Sequence, residues 1–253
     1  MNIESNITAS IVIYKEDISV LQKAIDSFLE SPLSKKLFLI DNSPNQNIQS
    51  HISNAKIEYL YSGENLGFGK GHNQSLQWLQ NEESGFHLIL NPDVVFNPDI
   101  LVQLTSELNK DAQLSMIAPK TMFPDNSLQY TARKFPRFRE LVFRFLNISN
   151  GLTTSQEYRD QDLNTFFYPD FVHGSFMLFK TKDLLALKGF DERFFMYMED
   201  VDICRRIDVL GKKKMYFPSV SITHELRKGS GKNMKLFFIH MSSMIKYYKK
   251  WGL

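Results

Sequence analysis

The sequence predicts an α/β fold, a mostly parallel central sheet flanked by helices, and three observations carry that reading. Short apolar, β-branched runs alternate with amphipathic stretches over the first 120 residues, the rhythm that right-handed crossovers between parallel strands impose. Polar side chains gather just after each apolar run, where open parallel sheets bind their ligands. The 253 residues are 43% hydrophobic, with 30 Lys and Arg against 28 Asp and Glu. That is enough apolar material for a full core and too little charge imbalance for a disordered chain.

Taken in order, residues 9–14 (ASIVIY) read as a first strand. Residues 17–30 place Val20, Leu21, Ala24, Ile25, Phe28 and Leu29 on one helical stripe behind Asp17, a residue that caps helix starts. The unit repeats as LFLIDNS (37–43) with a weakly helical stretch, KIEYLYS (56–62) with GKGHNQSLQWLQ, and FHLILNPD (86–93) with PDILVQLTSELNK (98–110), before a further strand at 115–119. Asn97-Pro98-Asp99 reads as a helix cap with Pro at the first helical position. After about residue 120 the rhythm breaks into a turn at Phe123–Asn126, a basic aromatic patch at 134–146 and a polar stretch to about 164, expected to form a loop or lid. Order returns with an apolar run at 170–180, a short helix at 182–187, a helix from Glu199 and a strand at 214–222. In the tail, Phe237, Met241, Met244, Tyr248 and Trp251 share helical spacing, with Lys235, Lys246, Lys249 and Lys250 elsewhere on the surface.

Several classes are excluded. A single cysteine, Cys204, cannot form an internal disulfide; it reads as a small core residue and favours a reducing compartment. No apolar run reaches the roughly 18–20 residues that cross a bilayer, and the start lacks the pattern of a secretory signal, so a cytoplasmic protein is expected. Residues 203–253 hold 12 Lys and Arg against 2 Asp and Glu, a balance of +10 that leaves −8 for the first 202 residues. This basic end should meet a diphosphate, an anionic membrane surface or nucleic acid. The last lacks any zinc, RNP or basic-zipper pattern, and no nucleic acid is expected.

The residues that follow the strands are chemically loaded: Tyr14, then Asp41-Asn42-Ser43, then Glu64-Asn65-Leu66-Gly67, then Asn91-Pro92-Asp93. Each alone is compatible with turn chemistry; four at one sheet edge point to a ligand. Gly67-Phe68-Gly69-Lys70-Gly71 departs from a dinucleotide fingerprint in spacing and in following the third strand, and reads equally as a tight packed turn. Asp93 could bind a hard divalent cation that also holds a diphosphate. Glu199-Asp200-Val201-Asp202 is the densest acidic cluster. It reads either as helix-start acids with Asp202 pairing to Arg206, or as carboxylates beside a sugar-stacking wall, Phe194-Phe195-Met196-Tyr197. His224, at a strand end before a cationic Gly-Ser-Gly loop, suits a metal or phosphate site as well as a structural role.

In sequence, SIVIY, LIDNS, ENLGFGKGHN, LILNPDV, HGSFMLFKTKDLLALKGFDERFFMYMEDVDICRR and a late strand-end His resemble inverting glycosyltransferases of family 2, in their rhamnosyltransferase-like branch, over roughly residues 9–230. The resemblance implies a GT-A domain at 1–230, with a donor half to about 120 and an acceptor half at about 121–230, followed by a basic aromatic helix at 231–253. It implies a nucleotide-sugar donor, such as a dTDP- or UDP-sugar, with Mn2+ or Mg2+ as cofactor. By motif, Tyr14 and Asp41 would flank the base, and Asn65, Gly67 and Asn73 would line the nucleotide pocket. Asp93 would be the metal-binding member of the family's Asp-x-Asp element, in which Asn91 replaces the first Asp, and His224 a further metal or diphosphate ligand. Asp200 would be the catalytic base, with Glu199, Asp202 and Tyr197 on the acceptor side. The activity implied is transfer of one sugar, with rhamnose from dTDP-rhamnose one candidate, to a cell-surface glycan on a lipid carrier at the inner face of the membrane. Nucleotidyl transfer is disfavoured because the first strand lacks a triphosphate-gripping loop. A non-catalytic membrane-surface or carbohydrate-binding protein is the alternative.

Overall fold

The computed structural model describes residues 6–45, 48–80, 84–138, 156–225 and 234–252. The first strand, β1 (Ile7–Ile13), is buried on both faces: Ile7, Ala9, Ile11 and Ile13 enter one core, while the hydroxyls of Thr8 and Ser10 are satisfied by the rings of His87 and His72. Asp17 opens α1 (Ile18–Leu29): its Oδ1 accepts from the Ser19 amide at 2.7 Å, and Leu21, Ala24, Ile25 and Phe28 turn inward. β2 (Ser34–Asp41) and β3 (Ile57–Tyr61) follow. The glycine segment and its continuation form two short helices, α2 (Phe68–Asn73) and α3 (Leu76–Leu79). After β4 (Phe86–Leu90) and the two-residue β5 (Val94–Val95), α4 (Ile100–Lys110) starts where Asn97 Oδ1 accepts from the Asp99 amide at 2.9 Å.

β6 (Leu114–Met122) turns at Phe123–Asn126 into β7 (Leu128–Gln129), and β8 (Ala132–Arg133) pairs with β9 (Phe171–Val172). The centre of the expected lid, 139–155, lies outside the described residues, as do Arg227, Lys228 and the Gly-Ser-Gly turn. The start of the basic aromatic patch packs onto the body: Phe135 stacks on Phe171 and Phe138 meets Tyr248 edge-on. The chain continues through β10 (Phe176–Lys180), α5 (Thr181–Ala186), α6 (Glu199–Val209), β11 (Lys213–His224) and α7 (Met234–Trp251). No described helix is long and apolar enough to cross a membrane.

Among the described residues the main sheet runs β3-β2-β1-β4-β10-β6-β11-β5, with β7 beside β6. Its first four strands are parallel, as expected, but the whole is mixed, because β10 lies antiparallel between β4 and β6. That reversal brings the amino end of β10 to the carboxyl end of β4, where the Asn91 amide donates to the Ser175 carbonyl at 2.9 Å. Side chains alternate between two cores, Leu37 and Leu39 on one face and Phe38 and Ile40 on the other, the period of two that a strand imposes. α1 and α4 cover the first face; α5, α6 and α7 cover the second. Cys204 lies in the second core, where burial pushes its thiol up to about 12 and leaves it an unreactive apolar group.

β1 pairs with β2 on one side and β4 on the other. The crevice at the carboxyl end of such a switch point is where an α/β sheet binds ligands. The register sets Ile13 opposite Asp41 and Asp41 opposite Tyr61, so the residues after β1, β2 and β3 share one edge.

Candidate active site

On one side of this edge, Tyr14 stands exposed beyond β1, and the Asn42 amide donates to the Ile13 carbonyl at 2.9 Å. Asp41 is fully buried; its carboxylate accepts from Tyr59 Oη at 2.5 Å and the Ser43 amide at 2.8 Å. Burial and the Asp41 carboxylate hold the Tyr59 phenol well above its usual range, so it remains a donor. Asn42 Nδ2 donates to the Gly67 carbonyl at 3.0 Å and Asn65 Oδ1 accepts from the Gly67 amide at 3.0 Å. Asn42 and Gly67 thus join the edge of β2 to the start of α2.

The glycines of α2 are explained by packing. Gly67 has φ +82°, and a Cβ there would lie 2.0 Å from the Phe195 carbonyl oxygen; one at Gly69 would meet Phe190 and one at Gly71 would meet Val12, each at 2.8 Å. The segment is a close-packed turn that seats α2 between β1 and the 190–195 loop. Gly67→Ala is expected to cost about 2–4 kcal/mol in urea unfolding, because strain and overlap add. Gly211→Ala, with φ +67° but open space, should cost only about 1–2 kcal/mol; equal losses would contradict the packing explanation.

Asn73 is drawn elsewhere. Its Oδ1 accepts from the Phe190 amide at 2.8 Å, while Nδ2 donates to the Phe190 carbonyl at 2.9 Å and to Glu192 at 3.2 Å. It clasps α2 to the loop before α6, where the sequence expectation set it in the nucleotide pocket.

At the centre of the edge, Asp93 and His224 converge. β11 ends antiparallel to β5, with His224 opposite Val94, and this pairing sets His224 Nε2 3.3 Å from Asp93 Oδ1. Asn91 Nδ2 lies 3.5 Å from the same nitrogen. Gln129, for which the sequence carries no signal, orients the ring. Its Nε2 donates to the His224 carbonyl at 2.7 Å, so its Oε1, 3.1 Å from His224 Nδ1, must accept from Nδ1–H. In a neutral ring that leaves the Nε2 lone pair facing a carboxylate oxygen. Two acceptors in that relation call for a proton or a cation between them, and 3.3 Å is close to the spacing of two adjacent ligands each roughly 2.1 Å from one ion. The residues therefore fit a divalent cation. No cluster of three His, Cys, Asp or Glu occurs among the described residues, so substrate oxygens or water would complete the shell. Gln129→Leu is expected to weaken Mn2+-dependent ligand binding about 10–100-fold with the fold intact, measured by calorimetry; unchanged affinity would deny Gln129 this role.

Beside them, α6 starts abruptly. Tyr197 and Met198 both take left-handed backbone, φ 68° and 70°, a strained pair worth about 1–3 kcal/mol each and typical of functional sites. α7 holds that turn in place. Ser243 Oγ donates to the Met196 carbonyl at 2.8 Å, Lys246 Nζ to the Arg193 carbonyl at 2.7 Å, and the Tyr197 ring faces His240 at 4.7 Å. The result sets Asp200 under the amino end of β10, its Oδ2 accepting from the Gly174 amide at 3.2 Å and its Oδ1 from the Val201 amide at 2.8 Å. Phe68 packs against Gly174 on the same side.

Burial, and then the Asp200 charge, push the Glu199 carboxyl from 4.5 up to about 8, and its Oε2 has no hydrogen-bond partner. Asp200 is also pushed up by burial, which outweighs the amides that favour its ionised form. A helix start alone would hold it ionised. A carboxyl that binds its proton more tightly in the folded state loses stability as pH rises from its unfolded to its folded value. The thermal midpoint of the wild type should therefore fall from pH 5 to pH 8 relative to that of Glu199→Gln, read by calorimetry; parallel curves would refute the buried-acid assignment.

Asp202 is spent on architecture. Fully buried, it pairs with Arg206 Nε at 2.8 Å and Lys250 Nζ at 2.7 Å and accepts from Trp251 Nε1 at 2.8 Å. Of the two sequence readings, the ion pair one turn along is the one found, and Asp202 holds α7 on α6 where the other expectation set it facing an acceptor.

A family model described as "Glycosyl transferase family 2" matches residues 8–187. The chain is 27% identical over 201 residues to "Rhamnosyltransferase WbbL" of Escherichia coli strain K12, covering 76% of this chain and 74% of the relative. It is 28% identical over 207 residues to "N-acetylglucosaminyl-diphospho-decaprenol L-rhamnosyltransferase" of Mycobacterium tuberculosis, covering 76% and 66%. Among solved structures, GalNAc-T7 with UDP, GalNAc and Mn2+ superposes with a TM-score of 0.71 at 12% identity, over 96% of this chain and 48% of that one. The chain thus spans about half the length of that structure, and the likeness gives the fold, an α/β GT-A arrangement.

Proposed function

The chain belongs to glycosyl transferase family 2, and from that premise we propose that it is an inverting, metal-dependent enzyme moving a sugar, with L-rhamnose from dTDP-rhamnose the first candidate, onto a lipid-linked glycan at the cytoplasmic face of a membrane. One observation carries the reading: the Asp93–His224 pair shares its sheet edge with a carboxylate, Asp200, held by the Gly174 amide at the end of β10 that the Asn91–Ser175 hydrogen bond ties to β4. The names of the two relatives support the rhamnosyl donor, and that of the mycobacterial one a diphosphate lipid acceptor.

Tyr14 and the Asp41 edge would receive the nucleotide base, with Asn65 and Gly67 shaping the floor. Asp93 and His224 would hold Mn2+ or Mg2+, whose charge would stabilise a leaving diphosphate. Asp200 takes the acceptor hydroxyl's proton as that oxygen attacks the anomeric carbon from the face opposite the leaving group. Its raised pKa suits the role, because a base poised nearer neutral pH drives proton transfer better. Glu199, buried with a raised pKa, stands beside it as a neutral acid at moderate pH, and Tyr197 flanks the acceptor side. One displacement inverts the centre, so no enzyme nucleophile is needed.

The test is transfer to N-acetylglucosamine linked by diphosphate to a short isoprenoid, from dTDP-rhamnose and a panel of UDP- and GDP-sugars, with the product's anomeric configuration read by NMR. Transfer with inversion is expected. Retention, or no transfer from any donor, would overturn the proposal.

A further inference from the structure

Outside the strand-end site, the described surface has a groove of about 500 Å³ between the 195 loop and the outer face of α7, walled by Phe195, Phe238 and Ile239 and rimmed by Lys235 and Lys246. Its size falls within the range of roughly 300–1,000 Å³ that small-ligand sites occupy. α7 is apolar on two sides. Met244, Tyr247 and Tyr248 face the core, while Met234, Phe238 and Ile245 are exposed, Phe238 by 62%. An exposed apolar strip flanked by cations matches a ligand that is itself part apolar and part anionic.

The groove borders the loop that leads into the site. Phe195, its wall, accepts from the Phe68 amide at 3.0 Å and packs against Gly67. Asp200 follows five residues later, at most about 18 Å of chain away. A free bilayer would meet a convex, basic face. Here the cations rim a concavity whose inner wall belongs to the loop that leads into α6.

We propose that this groove receives the apolar chain of a lipid-diphosphate acceptor, with Lys235 and Lys246 on its phosphates. The inference rests on the lipid-linked reading of the acceptor, and it gives α7 a second task besides fixing the Tyr197–Met198 turn. The sugar of such an acceptor would then extend past Phe195 toward Asp200.

The probe is farnesyl diphosphate, titrated into the full chain without divalent cation, beside inorganic diphosphate. Farnesyl diphosphate is expected to bind at least ten-fold more tightly than diphosphate. Phe238→Glu should weaken it ten-fold or more and Lys235→Ala several-fold, with circular dichroism and Mn2+-dependent dTDP and UDP binding unchanged in both variants. Equal affinity for the two probes, or no effect of Phe238→Glu, would overturn the proposal. So would a Phe238→Glu variant that loses sedimentation with phosphatidylglycerol vesicles yet keeps its farnesyl diphosphate affinity, since the face would then belong to a bilayer. If farnesyl diphosphate binds as expected but neither nucleotide binds the wild type, the groove stands and the donor reading fails.

Discussion

Asp200→Asn is expected to lower kcat by about a thousand-fold or more while leaving nucleotide affinity within a factor of about two. The substitution keeps the shape of the side chain and its place beside the Gly174 amide, but an amide cannot accept the acceptor's proton. Single-turnover kinetics and a nucleotide titration on the same sample separate the two effects. A fall in affinity with kcat intact would make Asp200 a binding residue, and no change in either would favour a non-catalytic binder. The pH profile gives a second readout. Burial raises Asp200, so the acidic limb of kcat/KM should lie above the ordinary aspartate range of about 3.9. With Glu199 adjacent, the limb belongs to the pair.

The second large effect is expected at the cation pair. Asp93→Ala and His224→Ala should each lower Mn2+-dependent nucleotide affinity by about a hundred-fold or more, because the proposed cation would keep only one of the two side chains, 3.3 Å apart, that would hold it. The double variant should be little worse than either single one, since the two act as a unit. Additive losses would mean that the side chains serve separate sites. Gln129→Leu should show a weaker version of the same phenotype, which ties the ring orientation to the ion and not to packing.

Much of this was legible in the sequence because the central strands are buried on both faces and advertise themselves as apolar runs. β1, β2, β4 and β6 lie where ASIVIY, LFLIDNS, FHLILNPD and SMIAP put them, and the polar residues after them share the edge that parallel crossovers dictate. What stayed hidden depended on direction or on distant partners. Nothing in DFVHGSFMLFK states that β10 runs antiparallel, and that reversal is what brings Gly174 to Asp200. Gln129 reaches His224 across 95 residues, and the sequence around it looks like any hairpin. Asp202 sat in the densest acidic cluster, yet Lys250 and Trp251, nearly fifty residues on, claim its carboxylate. The glycines of α2 resembled a phosphate loop because close approach to a backbone and close approach to a ligand ask for the same residue. Tyr197 and Met198 carried no sign of left-handed backbone, since tertiary contacts from α7 impose it.

The most direct test of a donor site at this sheet edge is calorimetric titration of the wild type and Asp93→Ala with dTDP, UDP and GDP, each with and without Mn2+. The expected result is Mn2+-dependent binding of one nucleotide by the wild type, lost in Asp93→Ala. Binding that ignores both the ion and Asp93, or binding of none of the three, would contradict it.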